Sequence, residues 1–274
     1  MPQVVAVVNQ KGGVGKTTET INLARVAANE GLRTLVVDAD PQGNCSGILL
    51  EDVAADDLTL ADVLLGEPVK EVRREGAWAG IDVVPGNSNI SKAVMMLAGE
   101  HGREMRLREA LDPVGEMYDL VLVDCAPSLE LHTVNALAAA DRALVVTTPG
   151  KFSLDGMSEL EKSVASVVRY YNPLLTVAGV VVVQARATLT HRAWFGDLEQ
   201  SSPWPIINPR IPYWDVIQSA QEAGLGLDEW TADRQRGREV YEMYARHFSA
   251  LTGMSLRSHL EKAFPSHDYA HMEG

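Results

Sequence analysis

Short apolar runs alternate along this chain with stretches of helical period. The runs fall at residues 4–8, 34–37, 81–84, 120–123, 143–146, 177–183 and 206–207. Most are continuous rather than alternating, as in strands buried on both faces of a parallel sheet. Helices are expected between them at 17–30, 60–65, 91–110, 131–139, 158–170, 191–198, 216–223 and 238–251. This order predicts an α/β fold: a doubly wound, mostly parallel sheet of about seven or eight strands with helices on both faces. No repeat, low-complexity segment or linker divides the 274 residues, so a single domain is expected over 1–254. A C-terminal helix or tail, partly flexible, is expected over 255–274, with fraying after Leu256.

Where the first run meets the first helix the chain reads Lys11-Gly12-Gly13-Val14-Gly15-Lys16-Thr17-Thr18. Strand, glycine-rich loop and helix together are the context of a nucleotide-phosphate site of the P-loop NTPase type. The pattern Gly-x-x-x-x-Gly-Lys-Ser/Thr is met except at its first glycine, where Gln10 stands, and an extra lysine, Lys11, follows. Gly12, Gly13 and Gly15 permit backbone angles that let successive N–H groups converge on phosphate oxygens at the positive end of the helix. Lys16 then reaches the β- and γ-phosphates, Thr17 offers its hydroxyl to Mg²⁺, and Thr18 adds a hydroxyl near the α-phosphate.

Two further apolar runs end in acids, Asp38-Ala39-Asp40-Pro41-Gln42-Gly43-Asn44 and Asp124-Cys125-Ala126-Pro127-Ser128. Ligands of open α/β sheets sit beyond the carboxyl ends of the strands. An aspartate in the place of Asp124 can support Mg²⁺ through water and complete the metal site begun by Thr17. One such aspartate could equally be a helix cap or turn residue. Three strand ends carrying the same chemistry point to one site.

The net charge of −13 excludes a uniformly basic nucleic-acid binder but permits a local basic face. Acids concentrate in 51–62, whereas Arg234, Arg236, Arg238 and Arg246 gather late. Cys45 and Cys125 lie far apart with no Cys-x-x-Cys pair, so small buried thiols are expected rather than a zinc or redox site. No stretch reaches the roughly 18 uninterrupted apolar residues of a membrane-spanning helix, and the amino terminus has no signal region. A soluble, cytoplasmic protein is expected.

The loop and the two acidic motifs together resemble the deviant Walker-type ATPases of the ParA/MinD group, and within it the ParA partition ATPases. The likeness runs from Val4 to Leu251 and includes Asn135-Ala136-Leu137-Ala138-Ala139-Ala140-Asp141 and Val177-Ala178-Gly179-Val180-Val181. It implies ATP and Mg²⁺ as cofactors and a homodimer that closes around ATP. It also implies a ParB-like activator and DNA bound without sequence preference in the ATP state, hence association with the nucleoid. By the same resemblance Lys11 reaches across to the other subunit's phosphates, Gly12 lies where the subunits approach closely, Asp40 positions the attacking water and Asp124 supports Mg²⁺. Lys11, Lys16 and Asp40 are thus the catalytic candidates. Gly12, Gly13, Val14, Gly15, Lys16, Thr17 and Thr18, with Pro209 and Arg210, are the nucleotide-binding ones. The chain departs from the family at Glu19, where Thr is frequent, at Ala126, where Pro is frequent, and at Glu130, where Gly is common. The first two are not expected to supply phosphate chemistry, and the third bears on the switch motion.

The DNA-contact candidates are Arg186, Arg210, Arg234, Arg236 and Arg238, and phosphate contacts of that kind weaken steeply with salt. Arginines on solvated helical faces are the competing reading of each. The family frequently has a second basic residue a few positions beyond Arg210, where this chain has Tyr213 and Trp214. Whether those aromatics replace a basic contact or pack is open at this level. A membrane-positioning relative of MinD type, or one carrying a protein cargo, is the alternative within the group. The stretch from Ser255 to Phe264 has Leu256, Leu260, Ala263 and Phe264 at helical spacing but lacks the Lys/Arg-rich polar face of an interfacial helix, so it is expected to pack as a last helix. No separate amino-terminal DNA-reading domain is expected before Val4. A third reading is an iron–sulfur reductase or ATP-dependent ligase on the same nucleotide fold.

Overall fold

The computed structural model describes residues 2–50, 52–150 and 152–264. Its strands are β1 (Gln3–Val8), β2 (Thr34–Ala39), β3 (Arg74–Glu75), β4 (Ile81–Val84), β5 (Leu120–Cys125), β6 (Arg142–Thr147), β7 (Thr176–Val182) and β8 (Ile206–Ile207). They form one sheet in the order β3-β4-β2-β5-β1-β6-β7-β8. Only the short β3 runs antiparallel to its neighbour. The strands thus spread to both sides of β1, and the chain reverses its winding there. That switch point is where an open α/β sheet leaves a crevice beyond its carboxyl edge.

Among the described residues twelve α-helices cover the two faces: α1 (Lys16–Asn29), α2 (Asn44–Leu49), α3 (Leu60–Leu65), α4 (Val69–Val72), α5 (Asn89–Met96) and α6 (Arg106–Leu111) come first. Then follow α7 (Leu131–Ala139), α8 (Phe152–Tyr170), α9 (Leu189–Ser201), α10 (Asp215–Glu222), α11 (Arg234–Thr252) and α12 (Leu256–Ala263). Alternate residues of a strand face opposite sides. Val4, Ala6 and Val8 of β1 accordingly join Leu60, Leu64, Leu137 and Leu160 in one core. Val5 and Val7 join Ile21, Leu23, Tyr244 and Phe248 in the other. Burial on both faces explains why the strands read as unbroken apolar runs.

Four expectations change. The helix expected over 91–110 is two, because Gly99 and Gly102 take left-handed φ of 92° and 69° and end α5 well before α6 begins. Two short helices, α2 and α4, and the edge strand β3 lie in segments too brief for a periodicity to register. Helix α11 begins at Arg234 rather than 238, capped by Asp233, whose carboxylate accepts from the Arg236 backbone N–H at 3.1 Å. The segment after Leu256 does not fray before Phe264. His259 and Leu260 are fully buried there, and Glu30 at the end of α1 lies 2.7 Å from both His259 Nδ1 and Lys262 Nζ. The tail expected over 265–274 falls outside the described residues.

Candidate nucleotide site

Between β1 and α1 the chain turns through a loop that ends at Gly15, the residue before the helix, in a left-handed conformation with φ 86°. The left-handed φ calls for glycine, and a Cβ there would also crowd Val183 Cγ2 at 3.1 Å. Gln184, just past β7, donates from Nε2 to the Gly13 carbonyl at 3.1 Å and ties the loop to the neighbouring strand end. Val14 is buried beneath the loop. Lys16 is buried too, at 6% exposure, and its ammonium is pushed below its usual range by burial, against the pull of Asp124 and Asp40. Lys11 is exposed, with its backbone N–H on Asn9 Oδ1 at 2.9 Å. At Gly12 a Cβ would meet nothing nearer than Pro127 Cγ at 3.9 Å, so nothing within this single chain requires glycine there.

The two acidic motifs arrive side by side because β2 and β5 are neighbours, with Asp38 opposite Asp124 in the register. Asp124 accepts from the Thr17 hydroxyl at 2.7 Å and from the Thr20 hydroxyl at 3.4 Å. Burial first, and Asp38 second, push its carboxyl up to about 8. Asp38, fully buried, is raised to about 6 by burial even though it accepts from the Ser46 backbone N–H at 2.7 Å, the Ser46 hydroxyl at 2.6 Å and the Asp40 backbone N–H at 3.1 Å. Asp38 therefore spends both oxygens on holding the loop after β2. Asp40, at 8% exposure, uses Oδ1 to accept from the Gln42 N–H at 2.9 Å and lies nearer solvent. Two buried carboxyls forced towards their neutral forms beside one lysine are a place where added positive charge is favourable.

The donor set fits Mg²⁺ of the kind that relies on phosphates. Among the described residues no group of three or more His, Cys, Asp or Glu could cage a metal alone. A Thr17 hydroxyl and one Asp124 carboxylate instead match the habit of Mg²⁺, which keeps waters and takes its remaining ligands from substrate phosphates. Beside Gly15 and Thr18 opens a cavity of about 240 Å³, walled by Gln184, Ile211, Tyr213, Trp214 and Tyr244. It adjoins the loop at Gly15 and Thr18, and its aromatic walls suit a nucleoside.

Comparison with known proteins now bears on this geometry. A family model described as AAA domain matches residues 2–177. The chromosome partitioning protein ParA of Caulobacter vibrioides is 36% identical over 87% of this chain and 97% of its own. The chain belongs to the ParA-type partition ATPases. Cobyrinic acid a,c-diamide synthase of Mycobacterium smegmatis, solved with an ATP analogue and magnesium, is 29% identical over 82% of this chain and 93% of its own, with a TM-score of 0.75. An ATP complex of Cyanothece McdA, 17% identical, shares the fold over 93% of this chain and 97% of its own at a TM-score of 0.83. The family is one of partition ATPases, and the neighbours share the P-loop sheet described above.

The remaining family-suggested residues scatter. Pro209 and Arg210 do not wall the cavity, which is built by the residues just after them. Arg210 lies over the Phe195 ring at 3.7 Å and pairs with Glu199 at 2.7 Å on α9. Arg186 lies over Tyr213 at 4.3 Å and Arg236 over Trp214 at 5.7 Å, so these two arginines gather on adjacent aromatics at the rim of the cavity. Arg238 turns to Phe264 beside α12, and Arg234 is exposed at the start of α11. Tyr213 and Trp214 thus pack beneath arginines while also walling the cavity. Cys45 and Cys125 are fully buried, and burial raises both thiols. Gln184 and Ser46 had no signal in the sequence: one acts through an unusual positive φ of 56°, the other through a partner eight residues away.

Proposed function

We propose that this chain is an ATP-dependent dimerising switch that binds DNA without sequence preference in its ATP state and segregates plasmid or chromosomal DNA with a ParB-like partner. The observation that carries the reading is the division of labour between two lysines of one loop. Lys16 is buried where phosphates would lie, whereas Lys11, five residues earlier, is exposed. A cation so placed serves phosphates of a second copy better than its own. Gly12, unconstrained within one chain, is explained by the close approach of that copy.

ATP sits with its phosphates on the N–H groups of Gly12, Gly13, Val14, Gly15, Lys16, Thr17 and Thr18 and its nucleoside in the cavity beyond, with Pro209 and Arg210 behind that wall. Mg²⁺, held by the Thr17 hydroxyl and supported by Asp124, would neutralise charge on the β- and γ-phosphates. Asp40, the acid with an oxygen to spare, orients the attacking water, and Lys11 and Lys16 neutralise the charge that develops. Hydrolysis is slow until the partner protein accelerates it, and it opens the dimer. Arg186, Arg234 and Arg236, with Arg210 and Arg238 where the closed dimer aligns them, supply the phosphate contacts, and the protein works in the cytoplasm on the nucleoid. Burial of His259 and Leu260 against the domain argues against the last helix as a membrane anchor. Among the described residues no helix is long and apolar enough to cross a membrane.

A second reading, an ATP-dependent enzyme of small-molecule metabolism, draws on the 29% identity with the cobyrinic acid synthase. Titration of the protein against non-specific duplex DNA across a salt series, with ADP and with ATP plus Mg²⁺, separates the two. Binding that needs ATP, weakens with salt, fails in Lys11→Ala and drops a few-fold in Arg186→Ala supports the switch. Absence of binding at low salt under ATP contradicts it and leaves the metabolic, membrane or protein-cargo readings.

A further inference from the structure

The departure at Glu19 has a partner far away in the sequence. Glu19 stands one residue beyond the phosphate loop on α1 and is fully buried. Its Oε1 lies 2.7 Å from Nδ1 of His247 on α11, also fully buried. The other ring nitrogen, Nε2, lies 2.7 Å from the carbonyl oxygen of Pro209. A carbonyl only accepts, so Nε2 carries a proton, and the proton on the other side is shared between Nδ1 and the carboxylate. The result is a three-part clamp from the first turn of α1, through α11, to the backbone of the segment between β8 and α10.

That segment builds the cavity wall. After Pro209 it is held on one side by β7 and its extension: the Ile211 N–H donates to the Val182 carbonyl at 2.8 Å, the Ala185 N–H to the Ile211 carbonyl at 2.9 Å and the Tyr213 N–H to the Ala185 carbonyl at 2.9 Å. Ile211, Tyr213 and Trp214 then wall the cavity next to Gly15 and Thr18. His247 is the tether from the opposite side. Tyr244, one turn earlier on α11 and edge-on to the His247 ring, closes the same cavity.

We infer that Glu19 and His247 are positioning residues for the nucleoside half of the site, fixing the distance between the phosphate loop and the wall at Ile211, Tyr213 and Trp214. The inference rests on the reading of this site as a nucleotide site. The clamp touches no phosphate position, so it acts on a ligand with a nucleoside and not on the phosphates alone. It is a unit, because removing either side chain frees the Pro209 carbonyl or leaves the ring without its orienting acid.

Calorimetric titration with Mg-ADP and with inorganic pyrophosphate tests this. Glu19→Leu and His247→Phe are each expected to weaken Mg-ADP about tenfold, the size of one charge-assisted hydrogen bond. Both should leave pyrophosphate within about twofold, and the double variant should bind no more weakly than either single one, as coupled residues do. Glu19→Gln, whose amide can donate to Nδ1 and leave the proton on Nε2, should restore Mg-ADP to within about twofold even if it melts as early as Glu19→Leu. Equal losses of Mg-ADP and pyrophosphate in Glu19→Leu would overturn the inference, as would unchanged Mg-ADP affinity in both single variants or a Glu19→Gln protein that binds like Glu19→Leu. Wild-type protein that binds neither ligand would instead overturn the nucleotide reading itself.

Discussion

The proposed phosphate and nucleoside ends of this site are built in opposite ways. At the phosphate end eight successive residues do nearly everything, and the acids that complete it stand at the ends of the two adjacent strands β2 and β5. It is electrostatically uneasy: Lys16 is held below its usual range by burial, and Asp38 and Asp124 are held above theirs. The nucleoside end is assembled from β7, the segment before α10, and α11, and it rests on large buried aromatics, Tyr241, Tyr244 and Phe248. Charge without compensation belongs where a charged ligand will arrive; dense apolar packing belongs where a wall must hold its shape. Substitutions at the phosphate end should therefore cost binding with little stability, whereas those in the packed core behind the nucleoside end should cost stability first.

The largest effect tests the packed end. Phe248→Ala removes a side chain of the α1–α11 core that is 1% exposed and should lower unfolding free energy by about 3–5 kcal/mol. Denaturant unfolding with unchanged slope would measure it, and a loss under about 1 kcal/mol would show that the wall does not stand on this core. At the charged end Lys16→Ala should weaken nucleotide binding by at least about a hundredfold while the protein melts no earlier without ligand. A variant that unfolds first and binds normally when folded would invert the comparison.

A third prediction concerns pH. The folded-state carboxyl of Asp124 sits at about 8 and that of Asp38 at about 6, both above the ordinary value of about 3.8 that the unfolded chain would show. The folded protein without ligand holds these protons more tightly, so this stabilisation is complete below about pH 4 and is lost as pH rises towards 8. Asp124→Asn cannot ionise and should flatten the fall in melting temperature between pH 5 and about 8 in the presence of chelator. Parallel melting curves for the two proteins would remove the strain assigned to the acids. The smallest effect is at the rim: Arg186→Ala should weaken non-specific DNA binding a few-fold and reduce the salt slope by about one unit, without moving the melting temperature.

The same contrast governs what the sequence alone could reveal. Lys16, Thr17 and the glycines were legible because their chemistry is local and their spacing is forced by the phosphates. Asp38 and Asp124 stand at strand ends that the apolar runs mark, whereas the choice of Asp40 over Asp38 as the hydrolytic acid rests on the resemblance. Parallel burial made the strands themselves visible. The pairing of Glu19 with His247, 228 residues apart, had no such signal, since only the packing of α11 on α1 brings them together. In the sequence Glu19 stands out only as a departure from the family, and nothing near it points to His247. The helix expected over 91–110 is two, because helical apolar spacing on either side of residues 99–104 hides a polar gap in which Gly99 and Gly102 turn left-handed. Arg210 was grouped with the nucleotide residues by resemblance, and its stacking on Phe195 with Glu199 alongside is a matter of tertiary placement.

The central claim is that this loop serves two chains at once. Light scattering on the Asp40→Ala protein with ATP and Mg²⁺, beside the Lys11→Ala/Asp40→Ala double variant, tests it most directly. The account predicts that the first doubles its mass on ATP and not on ADP, while the second binds ATP and stays a single chain. A mass unchanged by ATP in Asp40→Ala, or a dimer that forms as readily without Lys11, would contradict it.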